Sequence, residues 1–578
     1  MTPAEIFKEM LKPDGQPERQ LKQYEAVRVL GGDPIGGYLR ANNTPGTMNV
    51  DRWGTTLLFE KNAPGPTPYI TEETKVLKDI THWRDYVHAP DLWAQVGDDE
   101  AGWAKMRERV RQTREEGAIP TYIMGTGMFE QCHFLMGFED TLTNLYEHPQ
   151  EMHELIDYIL EYRLSYVKLV IEKMHPDAIL SHDDWGAKNA LFMKPEMWRE
   201  FYKEPYRKFY KYIRDQGLIV IHHGDSYMVP IIEDMVEIGI QCWQGVLPEN
   251  NIPALQEQLQ GRMILMGGIG AAIDRADSTE EEISAYVRNV CEECCPRGHF
   301  IPCITYGIAG TVFKHVDPVI DRTIDEYNQT LHFREYRPVR SVRRVSAAQR
   351  SQQTAAASGA AADTSVTEKL SAALRRGQKK RVLSLCSEGI AAGVDAQVLL
   401  TDGLVDGMVK LGEDFSANRA FVPEMLMAAR CMTAATDLLK PYLTGDEAQS
   451  AGRVCLGTVQ GDMHDIGKNL VKIMMEGSGL EVIDLGCDVP PETFVETAKE
   501  QHCDIIACSA LLTTTMPNMR RVVELTRENG IRDQVTIMVG GAPISQSFCD
   551  EIGADIYTPD AASAAKAAVA AIAEKKAG

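Results

Sequence analysis

Short β-rich runs alternate with helical segments in two separate blocks of this 578-residue chain, and this alternation restricts its fold more than any other feature. The first block has such runs at 121–125, 177–184, 217–223, 240–245, 263–269 and 300–304. Repeated βα units of this length favour a parallel (β/α)8 barrel, the TIM-barrel fold, over residues 1–337.

The second block begins after Gly452, with β-rich runs at 454–459, 481–486, 504–510, 536–541 and 555–560. Amphipathic helices separate these runs, which indicates a doubly wound parallel sheet over residues 452–578.

Two further segments lie between the blocks. Residues 338–366 are poor in large apolar side chains and rich in Ala, Ser, Gln and Arg, a composition that predicts a flexible linker. Residues 367–447 have a helical pattern throughout and predict a small helical bundle. The chain is therefore expected to be an α/β protein in four parts.

Charge and hydropathy exclude several classes of protein. Lys and Arg total 60 against 83 Asp and Glu, so the formal net charge is −23 and a nucleic-acid partner would be repelled. No apolar run is long enough to span a bilayer, and the N-terminus lacks an apolar signal core. We therefore expect a cytoplasmic protein that binds neither nucleic acid nor membrane.

The segment GDMHDIGKNL, residues 461–470, follows the first strand of the second block, at the edge where open α/β sheets bind ligands. It resembles the Asp-x-His-x-x-Gly motif of the cobalamin-binding domain of B12-dependent methionine synthase and of corrinoid proteins. The resemblance implies that His464 ligates the cobalt from below and that Asp462 tunes its basicity as a catalytic group. Gly467 would leave room for the nucleotide tail of the cofactor.

Other residues of the second block match the same family. The family's tail pocket and proton relay correspond here to Ser509, Thr513 and Thr515, with threonine at 515 where methionine synthase has serine. Gly540 and Gly541 stand where small residues let the backbone approach the macrocycle or its tail. The resemblance therefore implies a cobalamin site along the whole carboxyl edge of the sheet.

The segment GEDFSANRAFVPEMLMAA in the predicted bundle resembles the helical cap of corrinoid proteins. The resemblance implies that Phe415 and Met427 cover the upper face of the cofactor and keep it dry. Met and Phe at helical spacing also serve as plain core residues, so both interpretations remain open.

The first block resembles the uroporphyrinogen decarboxylase superfamily through DRWGTTL at 51–57, DDWGAKNALFMKPEMWREF at 183–201 and YGIAGTVFKHVDP at 306–318. The decarboxylase branch has an arginine-rich substrate motif near its N-terminus, whereas this chain has GGYLRANNTPG there. The resemblance therefore points to the methyltransferase branch, which places a zinc ion in the barrel mouth.

That branch uses His-x-Cys and a later Cys as zinc ligands, and the closest match here is His223, Asp225 and Cys303, with aspartate in place of the first thiolate. All three end predicted strands, on the face where such barrels do their chemistry. His222 or Glu249 could be recruited instead. The alternative is a hydrogen-bonded polar cluster beside a buried thiol.

Asp183 and Asp184 also end a predicted strand at the mouth. They could orient the substrate or act as acid/base groups. Capping of a helix and a charged rim explain the two carboxylates equally well.

These resemblances together imply a cobalamin-dependent, zinc-assisted methyltransferase with its corrinoid domain fused to the barrel. The expected reaction moves a methyl group from a methylated donor to Co(I) of its own cobalamin. The first choice of donor is a methoxylated aromatic, an O-demethylation, because aromatic residues such as Trp53 and Trp185 are expected at the barrel rim.

Two alternatives remain open: transfer from a methylcorrinoid to a thiol, as in coenzyme M-type methyltransferases, and a corrinoid carrier or sensor with an inactive barrel. The expected partners are a small methyl donor, a reductive activator, and a second methyltransferase or a methyl acceptor such as tetrahydrofolate or a thiol.

Overall fold

The computed structural model describes residues 1–39, 44–59, 66–306, 309–330, 365–417, 419–442, 452–462, 466–511, 515–541 and 543–577. The chain divides into two compact units, Met1–Pro338 and Val339–Gly578. Of the predicted linker, residues 338–366, only the last two positions are described, and there Ser365 caps the helix that begins at Val366.

The strands described in the first unit are β1 (Val27–Leu30), β2 (Thr47–Val50), β3 (Thr56–Phe59), β4 (Thr67–Pro68), β5 (Ile119–Met124), β6 (Ala178–His182), β7 (Ile219–His223), β8 (Cys242–Val246), β9 (Ile264–Ile269) and β10 (Phe300–Ile304). Strand β1 and strands β5 to β10 form one parallel sheet in chain order, and β2 to β4 form a small antiparallel sheet.

Helices follow the strands of this sheet, as expected for βα units. The α-helices described are Pro3–Met10, Pro34–Leu39, Trp83–Tyr86, Leu92–Val96, Glu100–Glu115, Met128–Met136, Phe138–Glu147, Pro149–Met174, Pro195–Trp198, Glu204–Asp215, Ile232–Glu237, Ile252–Leu259, Glu280–Cys294 and Val316–Asn328.

The seven-stranded sheet curls until its two edges approach each other. The residues just before β1 contact β10, because the Gln23 N–H donates to the Pro302 carbonyl at 3.0 Å. The Gln20 side-chain amide donates to the Phe300 carbonyl at 2.7 Å. Every strand of the sheet contributes to the enclosed core, through residues that include Val27, Ile119, Leu180, Ile221, Cys242, Met266 and Ile301.

The predicted barrel-type α/β fold is therefore confirmed, with one difference in strand number. The described residues supply seven strands to the sheet rather than eight. The sequence pattern also missed β1, because its four residues, VRVL, mix apolar and charged side chains.

The second unit contains the predicted doubly wound sheet. Its described strands are β11 (Arg453–Val459), β12 (Glu481–Val489), β13 (Ile505–Ser509), β14 (Thr536–Gly540) and β15 (Ile556–Tyr557). They are parallel, in the order β12-β11-β13-β14-β15. The strand order reverses between β11 and β13, and a sheet of this kind binds ligands at that switch point.

Helices cover both faces of this sheet, and further helices precede it. The α-helices after the strands are Ile466–Gly477, Pro491–Glu500, Met516–Glu528, Gln546–Ile552 and Ala561–Ala577. The helical bundle consists of Val366–Arg375, Lys379–Ala391, Ala396–Val398, a π-helical turn Leu399–Val405, Asp406–Ser416 and Val422–Leu439.

The bundle and the sheet share one hydrophobic core. Leu370, Met408 and Met432 from the bundle lie in the same cluster as Met475 and Ala568 from two helices of the sheet region. The parts that the sequence separates at 447 and 452 therefore lie within a single unit. Burial of the apolar faces of the bundle helices against the sheet region accounts for this arrangement.

The longest described helix, Pro149–Met174, has 26 residues but carries acidic and basic side chains along its length. Among the described residues, no helix combines the length and the apolar character that crossing a membrane requires.

A buried ion pair joins the first helix of the sheet region to strand β12. The Lys468 ammonium lies 2.6 Å from the Asp484 carboxylate, and the Lys468 side chain is 3% exposed. Lys472 lies 3.2 Å from the same carboxylate, but its side chain is 33% exposed. Burial raises the pKa of Asp484, but the hydrogen bonds from Lys468 and the Gly486 N–H, with the charges of both lysines, together lower it below its ordinary value.

These two lysines provide a matched pair of variants. Lys468→Met is expected to lower the free energy of unfolding by about 2–4 kcal/mol, because it leaves a half-buried carboxylate with one exposed partner. Lys472→Met is expected to cost less than about 1 kcal/mol, as a more exposed ion pair does. Denaturant unfolding of the second unit measures both values, and equal losses in the two variants would contradict the buried pair.

Candidate functional site

Two neighbouring strands of the first unit end in histidine at the carboxyl mouth of the sheet. His182 ends β6, His223 ends β7, and the two residues are paired in register. Their imidazole rings stack with centroids 4.6 Å apart. Asp184 and Asp225 lie two residues beyond each histidine, so the ends of β6 and β7 place two imidazoles and two carboxylates close together.

The side chains at this mouth form two overlapping groups of possible metal ligands. One group is Glu130, His182 and Asp184, and the other is Asp184, His223 and Asp225. Within each group the ligand atoms all lie within 4.8 Å of one another. Carboxylate oxygens and imidazole nitrogens bind divalent cations such as zinc, so we call these five residues the mouth cluster.

His223 is fixed in the protonation state that a metal ligand needs. The Gln244 side-chain amide donates to the carbonyls of Ile304 and Tyr306, at 3.4 and 2.9 Å, so its oxygen faces the His223 Nδ1 at 2.5 Å. Nδ1 therefore carries the proton, and Nε2 keeps its lone pair for a ligand. Burial and the neighbouring His182 lower the pKa of His223 to about 3, so the ring is neutral.

The carboxylates of the mouth cluster crowd one another. Asp225 is exposed to solvent on one side, but partial desolvation by the surrounding mouth residues raises its pKa to about 6. Loss of water and the charge of Asp225 raise the pKa of Asp184 well above its ordinary value. The Asp225 backbone N–H donates to Asp184 Oδ1 at 3.1 Å, which fixes the spacing of the two residues. A bound cation would relieve this repulsion, so the residues present fit a metal ion.

Glu130 and His182 form an ion pair at the other side of the cluster. His182 Nδ1 lies 2.9 Å from Glu130 Oε2, and the same carboxylate accepts from the Gly127 N–H at 3.1 Å. Burial raises the pKa of Glu130, but His182 outweighs it and the pKa falls to about 2. Burial lowers the pKa of His182, but Glu130 raises it to about 10.

Asp183 serves the helix-capping role that the sequence left open. It is fully buried, and its carboxylate accepts from the backbone N–H groups of Phe129 and Glu130 at 3.0 and 2.9 Å. The Trp185 indole and the Tyr206 hydroxyl also donate to it. Asp183 therefore holds the first turn of helix Met128–Met136 against the end of β6, whereas Asp184 belongs to the mouth cluster.

Three of the residues considered as metal ligands from the sequence lie elsewhere. Cys303 belongs to the barrel core and to neither ligand group, and burial raises the pKa of its thiol far above the usual range. His222 bonds through Nδ1 to the Tyr210 hydroxyl at 2.9 Å, and Glu249 pairs with Lys188 at 3.0 Å. The predicted trio of His223, Asp225 and Cys303 is thus not brought together, and Asp184 takes the third place among the described residues.

Sequence reasoning missed Glu130, His182 and Gln244. His182 immediately precedes the two aspartates at the end of a predicted strand, so its position could have identified it. Glu130 follows β5 in the segment GTGMFE, one short loop past a strand end. Gln244 lies inside β8, where no sequence signal separates it from an ordinary strand residue.

In the second unit, Asp462 lies at the switch point between β11 and β13. It is fully buried, and its carboxylate accepts from the Leu511 N–H at 2.6 Å and the Thr515 hydroxyl at 3.1 Å. Its backbone carbonyl accepts from the Asp488 N–H at 3.0 Å. Asp462 therefore ties the loop after β11 to the end of β12 and to the loop after β13. His464 and Thr513 lie outside the described residues.

Ser509 and the glycines line the same edge of the sheet. Ser509 ends β13 and pairs with Thr458 on one side and Gly540 on the other. A Cβ added at Gly467 would meet no atom within 4 Å, so the backbone there borders open space. Gly541 has a φ of 127°, and a Cβ there would lie 1.8 Å from the Ala510 carbonyl oxygen. The chain's own backbone therefore already requires glycine at 541.

The predicted cap residues lie in ordinary packing positions within the bundle. Phe415 packs against the core that the bundle shares with the sheet region. Met427 packs over Gly377, since a Cβ added to that glycine would lie 2.6 Å from the Met427 Cβ. These contacts are those of core residues, and coverage of a cofactor by Phe415 and Met427 stays a prediction.

Comparison with known proteins assigns both units. Residues 54–316 match the model of the uroporphyrinogen decarboxylase (URO-D) family. Residues 366–440 and 452–569 each match a model of a B12 binding domain.

Similar proteins match the second unit. Trimethylamine corrinoid protein 1 of Methanosarcina acetivorans is 46% identical over 175 residues, which are 30% of this chain and 81% of that protein. Dimethylamine corrinoid protein 1 of the same organism is 42% identical over 187 residues, 32% of this chain and 88% of that protein. A solved structure of the methanol:cobalamin methyltransferase complex from Methanosarcina barkeri is 30% identical over 36% of this chain and 80% of that chain, with a TM-score of 0.33.

The chain covers 81% and 88% of the two corrinoid proteins, and its first unit matches a different family. The corrinoid domain follows a uroporphyrinogen decarboxylase-type domain in the same chain. The chain therefore belongs to the corrinoid-protein family and combines the domains of a corrinoid-dependent methyltransferase system.

Proposed function

We propose that the first unit binds a methylated donor and that the cobalamin of the second unit accepts the methyl group, in the cytoplasm. The observation that carries this proposal is the mouth cluster, in which two imidazoles and three carboxylates meet at the catalytic face of a barrel-type sheet. His223 adds support, because Gln244 occupies its Nδ1 and leaves Nε2 for a ligand.

We assign the lower cobalt ligand to His464 on the strength of the family motif. Asp462, two residues earlier, is buried at the switch point, as a residue that orients this loop should be. Ser509, Thr515, Gly467 and Gly540 border the same edge and are the proposed contacts of the nucleotide tail. Cobalamin, when bound, supplies a strongly nucleophilic cobalt.

We assign a zinc ion to His223, Asp225 and Asp184, with Asp184 in the place that the sequence gives to Cys303. A set of one nitrogen and two oxygen ligands leaves a position open for the donor, as catalytic zinc requires. Zinc, when bound, supplies Lewis acidity that stabilises the leaving group. The His223 ring provides the neutral ligand, and Gln244 orients it.

A methoxylated aromatic remains the first candidate donor, although Trp53 and Trp185 are not at the rim because both are buried. Half-buried rings in the segments that follow β5 and β6 support the proposal instead. Phe138 and Phe192 lie edge to face with centroids 4.9 Å apart, and His133 lies 6.0 Å from Phe138. Such rings suit stacking or edge contacts with a flat aromatic donor.

A methylated amine is the second candidate donor. The relatives of the second unit are named for trimethylamine and dimethylamine. Carboxylates beside aromatic rings also suit a cationic amine. Transfer in the opposite direction, to a thiol, is a further alternative. A reductive activator and a final acceptor, such as tetrahydrofolate or a thiol, complete the proposed system.

The reduced holoprotein is expected to lose its Co(I) absorbance when a methoxylated aromatic is added, because the cobalt is alkylated. Asp184→Asn is expected to slow this loss at least about 100-fold through the damaged metal site, with unchanged corrinoid content. Glu249→Gln, a rim carboxylate outside the mouth cluster, serves as the control with wild-type rates. If methylamines remove the Co(I) absorbance and methoxylated aromatics do not, the donor is a methylated amine. No response to either class of donor would refute the proposal.

His464→Ala is expected to remove the nitrogen coupling of a histidine ligand from the electron paramagnetic resonance spectrum of the Co(II) protein. His502, exposed in the same unit, provides the control, and His502→Asn suits its positive φ of 52°. The control is expected to keep the wild-type spectrum. An unchanged spectrum in the His464 variant would show that another group holds the cobalt.

A further inference from the structure

The mouth cluster contains more ligands than one metal ion can use. Its five side chains fall into two groups that share Asp184, and they do not form a single group at 4.8 Å. Zinc binds nitrogen and oxygen at about 2.0–2.2 Å, so two atoms on one ion lie at most about 4.4 Å apart. One ion therefore cannot contact all five side chains as they stand.

Each group presents a complete set of protein ligands. The first offers Glu130, His182 and Asp184, and the second offers Asp184, His223 and Asp225, so each has one imidazole and two carboxylates. Three protein ligands with an open position are what a catalytic metal requires. The two sets have the same ligand types but differ in their present contacts, because His182 and Glu130 already form an ion pair, whereas His223 bonds to Gln244 outside its set.

His223 has one ring nitrogen available for a ligand. The residue is only 2% exposed, and its Nδ1 is taken by Gln244. Nε2 is therefore the nitrogen that it can offer beside Asp184 and Asp225.

Asp184 is suited to contact two ions at once. A carboxylate has two oxygens and about four lone-pair directions, and among the described residues Asp184 uses one of them, on Oδ1, to accept from the Asp225 N–H. That bond holds Asp184 beside Asp225 of the second group. The Asp184 carboxylate also lies within 4.8 Å of the ligand atoms of Glu130 and His182 in the first group. A shared carboxylate is the usual bridge between paired cations.

We propose that the mouth holds two divalent cations, one between Glu130, His182 and Asp184 and one between Asp184, His223 and Asp225, with Asp184 as the bridge. The inference deepens the proposed function, which by itself needs only the second ion. Paired cations about 3.5–4 Å apart bind one anionic oxygen between them. A two-ion mouth therefore favours donors whose leaving group is an oxygen, such as aryl methyl ethers.

Metal counting tests this proposal without measuring turnover. The full-length holoprotein is stripped with a chelator, loaded with zinc and desalted, and zinc per chain is counted by plasma mass spectrometry. We expect two zinc ions in the wild type, one in Glu130→Gln, one in Asp225→Asn and fewer than one in Asp184→Asn. Glu249→Gln, the matched rim control, is expected to retain two.

Loading with Mn²⁺ provides a second readout. Two ions bridged by one carboxylate are expected to give a spin-coupled resonance spectrum in the wild type and a spectrum of isolated ions in Glu130→Gln. Glutamine at 130 retains an oxygen that accepts from the Gly127 N–H, so the helix start is preserved. Circular dichroism of each variant verifies the fold.

One zinc per wild-type chain, two in Glu130→Gln, or isolated Mn²⁺ in the wild type would overturn the two-ion site. The result is separable from the proposed function. If the protein holds one ion and still methylates its cobalamin from a donor, only the two-ion inference is refuted. If it holds two ions but no donor is active, only the proposed reaction is refuted.

Discussion

A buried carboxylate organises the mouth of the first unit. Asp183 accepts four hydrogen bonds, two of them from the first turn of helix Met128–Met136, so a loop after β5 and the end of β6 are held as one piece. An unsatisfied carboxylate at this depth would cost several kcal/mol, which makes the arrangement strongly determined. The positions of Glu130, His182 and Asp184 depend on it, since all three lie within a few residues of these bonds.

The second unit also has a buried, hydrogen-bonded carboxylate, at the carboxyl edge of its sheet. Asp462 is buried at the end of β11 and accepts from the loop after β13. In both units a carboxylate just past a strand accepts hydrogen bonds from neighbouring donors, and the proposed ligands lie one or two positions away. In the first unit those residues include His182 and Asp184, and in the second the motif assigns the role to His464.

The sequence predicted the architecture better than the metal ligands. Strand runs and the 461–470 motif located both units, because apolar periodicity and a local motif are carried by neighbouring residues. The ligand set depends on which residues of different strands meet, and a single sequence does not contain that information. Cys303 was therefore expected at the mouth, although it lies in the core beside Cys242, and Glu130 was overlooked because it comes from a helix.

The common core of bundle and sheet has a consequence for access to the cofactor edge. Lifting the bundle away would expose side chains such as Met408, Met432 and Met475, each costing about 1.5–3 kcal/mol in water. The bundle helices are therefore expected to stay packed against the sheet region. Any partner that displaced the bundle would have to replace these buried apolar contacts with apolar side chains of its own.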